Sequence, residues 1–304
     1  MRNFDYNRLK YCKWDGEVLG LIGAIHEYKG RQELFLRQKP AALDKLVEIA
    51  KVQSTESSNK IEGVVTTATR IKQLCSQKTT PRNRDEEEIS GYRDALSLIH
   101  ENYGYIPIKP SYILQLHRVL YGYSQRDIGG RFKNTQNYIA ETGDNGTQII
   151  RFMPLAPDET PMAVEAICES YNREADNGEV DPLILIPAFI LDFLCIHPFN
   201  DGNGRMSRLL TTLLLYRAGY AVGKYVSLES KIEKTKAGYY DALGKSDVNW
   251  NSGENDITPF IKYLLKIVLA AYREFEEKVA ITEGKVSAAG MVRKAVCNRI
   301  GKFT

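Results

Sequence analysis

Apolar positions along this chain recur mostly at helical spacing. Leu43, Leu46, Val47 and Ala50 fall on one face of a predicted helix. Ile89, Tyr92, Leu96 and Ile99 do the same behind Asp85, which reads as an N-cap. Thr160-Pro161 and Thr258-Pro259 each pair a capping hydroxyl with a first-turn proline. The second pair opens a long helix with Phe260, Leu264, Ile267, Ala271 and Phe275 on one face. Leu183 to Ile196 is almost wholly apolar, interrupted by Pro187 and Asp192. It is too short and too broken to span a bilayer and reads as a core helix. Leu209, Leu210, Leu213, Leu214 and Tyr216 mark the next apolar helix, which stops at Gly219. One stretch departs from this period. Gly130 to Ile139, a Gly/Asp/Asn tip over Glu141 to Thr147, and Gln148 to Pro154 read as a β-hairpin. The pattern predicts a mainly α protein, a helical bundle with one hairpin. The Pro/Arg/Asp-rich stretch Thr80 to Asp85 is the best boundary, giving an N-terminal helical region 1–80, a core 81–280 and a basic tail 281–304.

Composition narrows this further. At 304 residues the chain is long for one domain, so one core with appendages is expected. A formal charge of +3 gives no reason to invoke nucleic acid or membrane attraction. The five cysteines are widely spaced and lack any Cys-x-x-Cys, which argues for reduced thiols in a cytoplasmic protein and against a zinc site. No signal peptide or membrane span is evident in the first thirty residues. Of the four histidines, His26, His100 and His117 have no liganding companions and read as structural.

The chemistry concentrates between the two apolar helices, in the twelve residues His197-Pro-Phe-Asn-Asp-Gly-Asn-Gly-Arg-Met-Ser-Arg208. His197 has the side chain of a general base at neutral pH. Asp201 offers a hard oxygen for Mg²⁺ bridging phosphates. The amides of Gly202, Asn203 and Gly204 would point from a helix that Arg205 opens, an anion site favoured by the helix dipole. Arg205 and Arg208, three apart, share a helix face and could clamp phosphate oxygens. Each part alone has an ordinary structural role; their conjunction in one turn does not. The run is neither a Walker A loop nor a dinucleotide fingerprint, and its spacing fails as an EF-hand.

His197 to Arg208 matches, without a gap, the motif His-Pro-Phe-x-[Asp/Glu]-Gly-Asn-Gly-Arg-x-x-Arg, and the chain thus resembles the Fic family. The resemblance implies an all-helical Fic fold and transfer of a nucleoside monophosphate, usually AMP from ATP, to a protein hydroxyl. His197 would take the proton from a target Ser, Thr or Tyr, and Asp201 would hold Mg²⁺ on the α- and β-phosphates. The Gly202–Gly204 amides, the Asn203 side chain and Arg205 would stabilise phosphate charge, and Phe199 would anchor the loop in the core. Far upstream, Ser57-Ser58-Asn59-Lys60-Ile61-Glu62-Gly63 matches [Ser/Thr]-x-x-x-Glu-[Gly/Asn], the inhibitory helix of Fic proteins that carry it N-terminal to the core, the class II arrangement. Ser58 and Glu62 would share a helix face, Gly63 would stop the helix, and Glu62 would pair with Arg208 where the γ-phosphate belongs.

By the same resemblance, the hairpin is the flap that binds a target segment by strand addition, with Asn137, Tyr138, Ile139, Ile149 and Ile150 as contact residues. This match is looser, since relatives often carry Pro-Pro after the hairpin and here Leu155 follows Pro154. Tyr239 and Tyr240 match a tyrosine pair that lines the adenine pocket. The basic tail resembles the start of a winged-helix module, so nucleic-acid contact is expected only if such a module follows residue 304. The target protein is not legible; automodification and a homodimer are both common in the family, and no membrane contact is expected. Within the enzyme class, UMP transfer and removal of AMP assisted by Glu62 stay open. So does a nucleotide-sensing module with little turnover, although the intact His197 favours an enzyme.

Overall fold

The computed structural model describes residues 2–38, 40–76, 79–142 and 147–300. Its centre is α7, Pro182–Ile196, an apolar helix with every residue from Leu183 to Ile196 buried. Asp181 starts it by accepting the Leu183 N–H at 2.8 Å, with Pro182 in the first turn. Around it pack α6 (Thr160–Asn177), α8 (Asn203–Arg217) and α11 (Thr258–Ile300). A second group holds α2 (Pro40–Ile61), α4 (Arg84–Asn102), α9 (Leu228–Lys234) and α5 (Pro110–Leu120), with α2 against α4 and α9 and α4 against α5. Helix α1 (Gly16–Gln38) lies along α11, α3 (Ala68–Ser76) bridges α2 and α4, and α10 (Lys236–Ser246) also packs on α11. An antiparallel hairpin joins β1 (Ile139–Thr142) to β2 (Gln148–Phe152), with a register shift between Ile139 and Ala140. Among the described residues the protein is mainly α with one hairpin, as the apolar spacing predicts.

Asp192 is the one charge inside the apolar stretch of α7, and its neighbours offset its burial. Trp250 Nε1 donates to it at 2.6 Å and the Tyr6 hydroxyl at 3.0 Å, while the Arg2 guanidinium lies 3.3 Å away. The N-terminal residues are thereby pinned beneath the motif helix. Phe4, Leu9, Val18, Ile25 and Ile61 share one hydrophobic core with Leu96, Phe193, Leu213 and Phe275, so residues on both sides of the expected boundary at 80–85 pack together. Helices α4 and α5 approach so closely that a Cβ on Gly91 would stand 1.9 Å from the Leu120 carbonyl. That contact sets α5 beneath the motif loop.

Several local expectations shift. Asn83, not Asp85, caps α4, accepting the Glu86 N–H at 2.9 Å; Asp85 instead receives the Val65 N–H. Thr160 and Thr258 are the first helical residues rather than caps, a one-residue difference within ordinary fraying of helix ends. Helix α11 runs on to Ile300, so no element ends at 280, and residues 301–304 lie outside the described set. The first strand begins only at Ile139, because 130–138 is held as irregular chain against the motif loop, and tip residues 143–146 lie outside the described residues.

Candidate active site

His197 caps α7 in the left-handed conformation, φ 52 and ψ 62, with its N–H still bonded to the Phe193 carbonyl at 3.0 Å. Histidine tolerates this region better than most side chains, and here it turns the chain sharply out of the core. Phe199, fully buried, follows the turn inward and stacks on His117, ring centres 3.7 Å apart and planes 3° from parallel. Gly202 is again left-handed (φ 84), and a Cβ there would come within 3.0 Å of Tyr121. Helix α8 begins at Asn203, two residues before the expected start at Arg205. Its first intrahelical bond runs from Met206 N–H to Gly202, leaving the Asn203, Gly204 and Arg205 amides as the unpaired donors of the first turn.

The His197 ring is oriented by its own helix. Nδ1 lies 3.3 Å from the Leu194 carbonyl, so Nδ1 carries the proton and Nε2 keeps its lone pair. Burial pushes the imidazole down to about 4; the Leu194 carbonyl opposes this and the Lys133 charge reinforces it. His197 is therefore neutral at physiological pH, the state a proton acceptor requires.

The two motif arginines part company. Arg205 is 2% exposed and points into the protein, 2.7 Å from Glu88, while donating to the Tyr121 hydroxyl at 2.9 Å. Here it braces the loop and does not line the cavity beside His197. Asn203 is engaged in the same way. Its side chain accepts from the Phe199 N–H at 2.9 Å and donates to the Phe199 carbonyl at 2.7 Å, so both ends of the amide lock the loop. Arg208 does face the cavity. Its guanidinium donates to Ser58 Oγ at 2.8 Å, to the Ser58 carbonyl at 2.9 Å and to Glu62 Oε1 at 2.7 Å. Glu62 sits just past the end of α2 and Gly63 follows it at φ 81. The Glu62 carboxylate rests against Gly204, where an added Cβ would be 2.2 Å from Oε1. An acidic oxygen thus occupies the opening turn of α8, the place best suited to a phosphate.

Asp201 stands apart from that cavity. It accepts the Gly202 N–H at 2.7 Å and pairs with Arg126 at 2.8 Å, with Arg205 3.8 Å and Arg84 3.9 Å away. Partial burial works against its ionisation, but Arg126, Arg205 and the Gly202 N–H outweigh it and hold the carboxyl below the ordinary range. Among the described residues no three His, Cys, Asp or Glu gather into a metal cage. A lone ionised carboxylate suits Mg²⁺ that takes its other ligands from phosphates and water.

The cavity holds about 130 Å³, bounded by Glu62, Ile139, His197, Gly204, Arg208 and the pair Tyr239 and Tyr240. This is below the several hundred Å³ typical of a ligand site, so the site is closed down around Glu62. Tyr239 is buried, whereas Tyr240 is 44% exposed at the rim. Among the described residues, a larger cleft of about 600 Å³ against α6 contains no motif residue. On the hairpin, Ile139 faces the cavity, Tyr138 and Ile150 are exposed, and the Ile149 side chain lies outside the described set. Asn137 is engaged with the motif loop, donating to the Phe199 carbonyl at 3.1 Å.

His117, read from the sequence as structural, is one support of the loop, and Lys133, which the sequence reading missed, is another. His117 Nδ1 accepts the Gly130 N–H at 3.0 Å, so Nε2 donates to the Asp201 carbonyl, 3.1 Å away. Lys133, 3% exposed, donates to the Ile196 carbonyl at 3.0 Å, and burial draws its ammonium down to about 8. Neither residue has a nearby sequence neighbour that signals its role, because each works on a loop more than sixty positions downstream.

Residues 107–215 match the model of the Fic/DOC family. The protein adenylyltransferase fic-1 of Caenorhabditis elegans is 28% identical over 188 residues, 60% of this chain and 32% of that protein. The protein adenylyltransferase Fic of Drosophila melanogaster is 27% identical over 247 residues, 80% of this chain and 43% of its own length. Among solved structures, a Fic domain containing signaling protein from Bacteroides thetaiotaomicron superposes with a TM-score of 0.66 at 25% identity, covering 85% of this chain and 95% of that one. A Fic family protein from Desulfovibrio desulfuricans gives a TM-score of 0.70 at 23% identity, with 88% and 76% coverage, a likeness of fold. The likeness to a Fic domain lies within residues 107–215. The chain spans about a third of the length of the curated relatives it matches first.

Proposed function

We propose that this chain is an autoinhibited adenylyltransferase that moves AMP from ATP to a Ser, Thr or Tyr hydroxyl of a protein and releases pyrophosphate. The observation that carries the reading is a neutral His197 beside an arginine whose phosphate-like partner is the chain's own Glu62 carboxylate. The names of the curated relatives support it. In the reaction, the target oxygen attacks the α-phosphorus as His197 Nε2 takes its proton. The bond from the α-phosphorus to the bridging oxygen breaks, and pyrophosphate leaves with that oxygen. Arg208, freed from Glu62, would hold the terminal phosphate, and the Gly204 and Arg205 amides would meet the charge developing on phosphate oxygens. Asp201 would hold Mg²⁺, whose charge offsets that of the phosphates. The Tyr239–Tyr240 pair would flank the base, and the exposed Tyr138 and Ile150 would meet a target strand. The free thiols of Cys12, Cys75, Cys168 and Cys195 suit a reducing, cytoplasmic setting.

Two labels on ATP test this. With the Glu62→Gly variant, label on the α-phosphate should become protein-bound while label on the γ-phosphate should not. Retention of the γ-label would make the enzyme a phosphotransferase, and retention of neither would leave it a nucleotide-binding module.

A further inference from the structure

The αL turn at His197 is held from outside the motif, by the irregular segment that leads into the hairpin. Four consecutive carbonyls, from Ile196 to Phe199, accept hydrogen bonds from two residues of that segment. Lys133 Nζ donates to Ile196 at 3.0 Å and the Lys133 backbone N–H to Pro198 at 2.8 Å. Asn137 Nδ2 reaches His197 at 3.4 Å and Phe199 at 3.1 Å. The two side chains are tied together, since Lys133 Nζ also donates to Asn137 Oδ1 at 3.0 Å. Among the described residues no carboxylate lies within ion-pair distance of Lys133, so its charge is spent on carbonyl oxygens. A cation at the C-terminus of α7 meets the negative end of the helix dipole and satisfies a carbonyl the helix leaves unpaired.

We propose that Lys133 and Asn137 are positioning residues for the catalytic base, a latch that keeps the His197 backbone left-handed and its ring aimed at the cavity. This rests on the transferase reading above. The left-handed state is unfavourable for a non-glycine residue, so it persists only where neighbours fix it. Released from the latch, the chain after Ile196 can relax towards ordinary backbone angles and swing the imidazole off the line of attack. Asn137 adjoins Tyr138 and β1, so a target strand seated on the hairpin would press on the same latch. Base alignment and target docking then share one support.

The test compares Lys133→Met, Lys133→Arg and Asn137→Asp, each added to Glu62→Gly. Asn137→Asp is nearly isosteric but cannot donate to the two carbonyls. Lys133→Met and Asn137→Asp should lower kcat about 10- to 100-fold, the cost of a misplaced reacting group, with KM for ATP within about twofold. Lys133→Arg, which still donates, should recover most of the rate. Side-chain nitrogen NMR of the protein without nucleotide supplies a readout free of activity. His197 should read as a neutral ring protonated at Nδ1 in the parent, and should lose that single tautomer in Lys133→Met and Asn137→Asp. A kcat unchanged in both variants, or a His197 signal that does not move, overturns the latch. If Lys133→Met fails to fold, Asn137→Asp at its half-buried position decides alone. If the Glu62→Gly parent itself transfers nothing, the transferase reading fails, and the NMR comparison still decides the latch.

Discussion

Replacing Glu62 by glycine should raise AMP transfer about 30- to 150-fold. Arg208 holds three acceptors, of which Glu62 supplies one, at 2.7 Å; the Ser58 hydroxyl and carbonyl stay in place after the substitution. The guanidinium therefore keeps its orientation while its charge becomes available. A charge-assisted hydrogen bond is worth about 1.5–3 kcal/mol, more when buried and less when wet. Here Arg208 is 4% exposed at the side chain and Glu62 31%, which supports about 2–3 kcal/mol for the closed arrangement. At about 1.4 kcal/mol per decade this converts to the stated range. The assay is incorporation of α-labelled ATP into the protein itself over time, with both forms matched for folding by melting temperature. Equal initial rates for wild type and Glu62→Gly would refute the reasoning, because Glu62 would then not compete with phosphate.

His197→Ala in the Glu62→Gly background should lower transfer by about 10²–10⁴-fold while nucleotide binding measured by calorimetry persists. Since burial holds the His197 imidazole at about 4, the rate should be flat around neutrality and fall only as pH drops towards that value; a rate halved near pH 6.5 would contradict it. His100 is held at about 3 and His117 and His197 at about 4, all by burial, so the unfolded chain takes up protons first as pH falls. Stability should be full above about pH 6.5 and decline below it, by roughly 2 kcal/mol per histidine at pH 5, and equal denaturation midpoints at pH 7 and 5 would refute this. Arg126→Ala removes the 2.8 Å partner of Asp201, and the Mg²⁺ needed for half-maximal nucleotide binding should fall about two- to fivefold; an unchanged requirement would show that Arg126 and the metal do not compete.

What the sequence carries plainly is what rests on local pattern. Apolar spacing marks α7, α8 and the long α11 because each buries a continuous stretch of side chains, and the hairpin shows as a break in that spacing. The motif marks the loop for the same reason. Orientation around α8 is not legible, because every residue from Arg205 to Tyr216 is buried and no polar face distinguishes Arg205 from Arg208. Only the fold reveals that Glu88 on α4 claims the first, and that Ser58 on α2 and Glu62 just beyond it claim the second. Asn203 shows a related limit. An asparagine in a glycine-flanked turn can face a ligand or staple its own loop, and the backbone of Phe199 decides the matter. His117 and Lys133 act through three-dimensional neighbours alone, so no spacing announces them.

In the proposed mechanism Glu62 stands where a phosphate of ATP binds, and His197 acts once it leaves. Intact-protein mass spectrometry of Glu62→Gly after incubation with ATP and Mg²⁺ tests it most directly. The added mass of AMP is expected on a hydroxyl side chain, scarce in wild type and missing when His197→Ala is combined with Glu62→Gly. An unmodified Glu62→Gly protein, or an adduct that survives loss of His197, would contradict it.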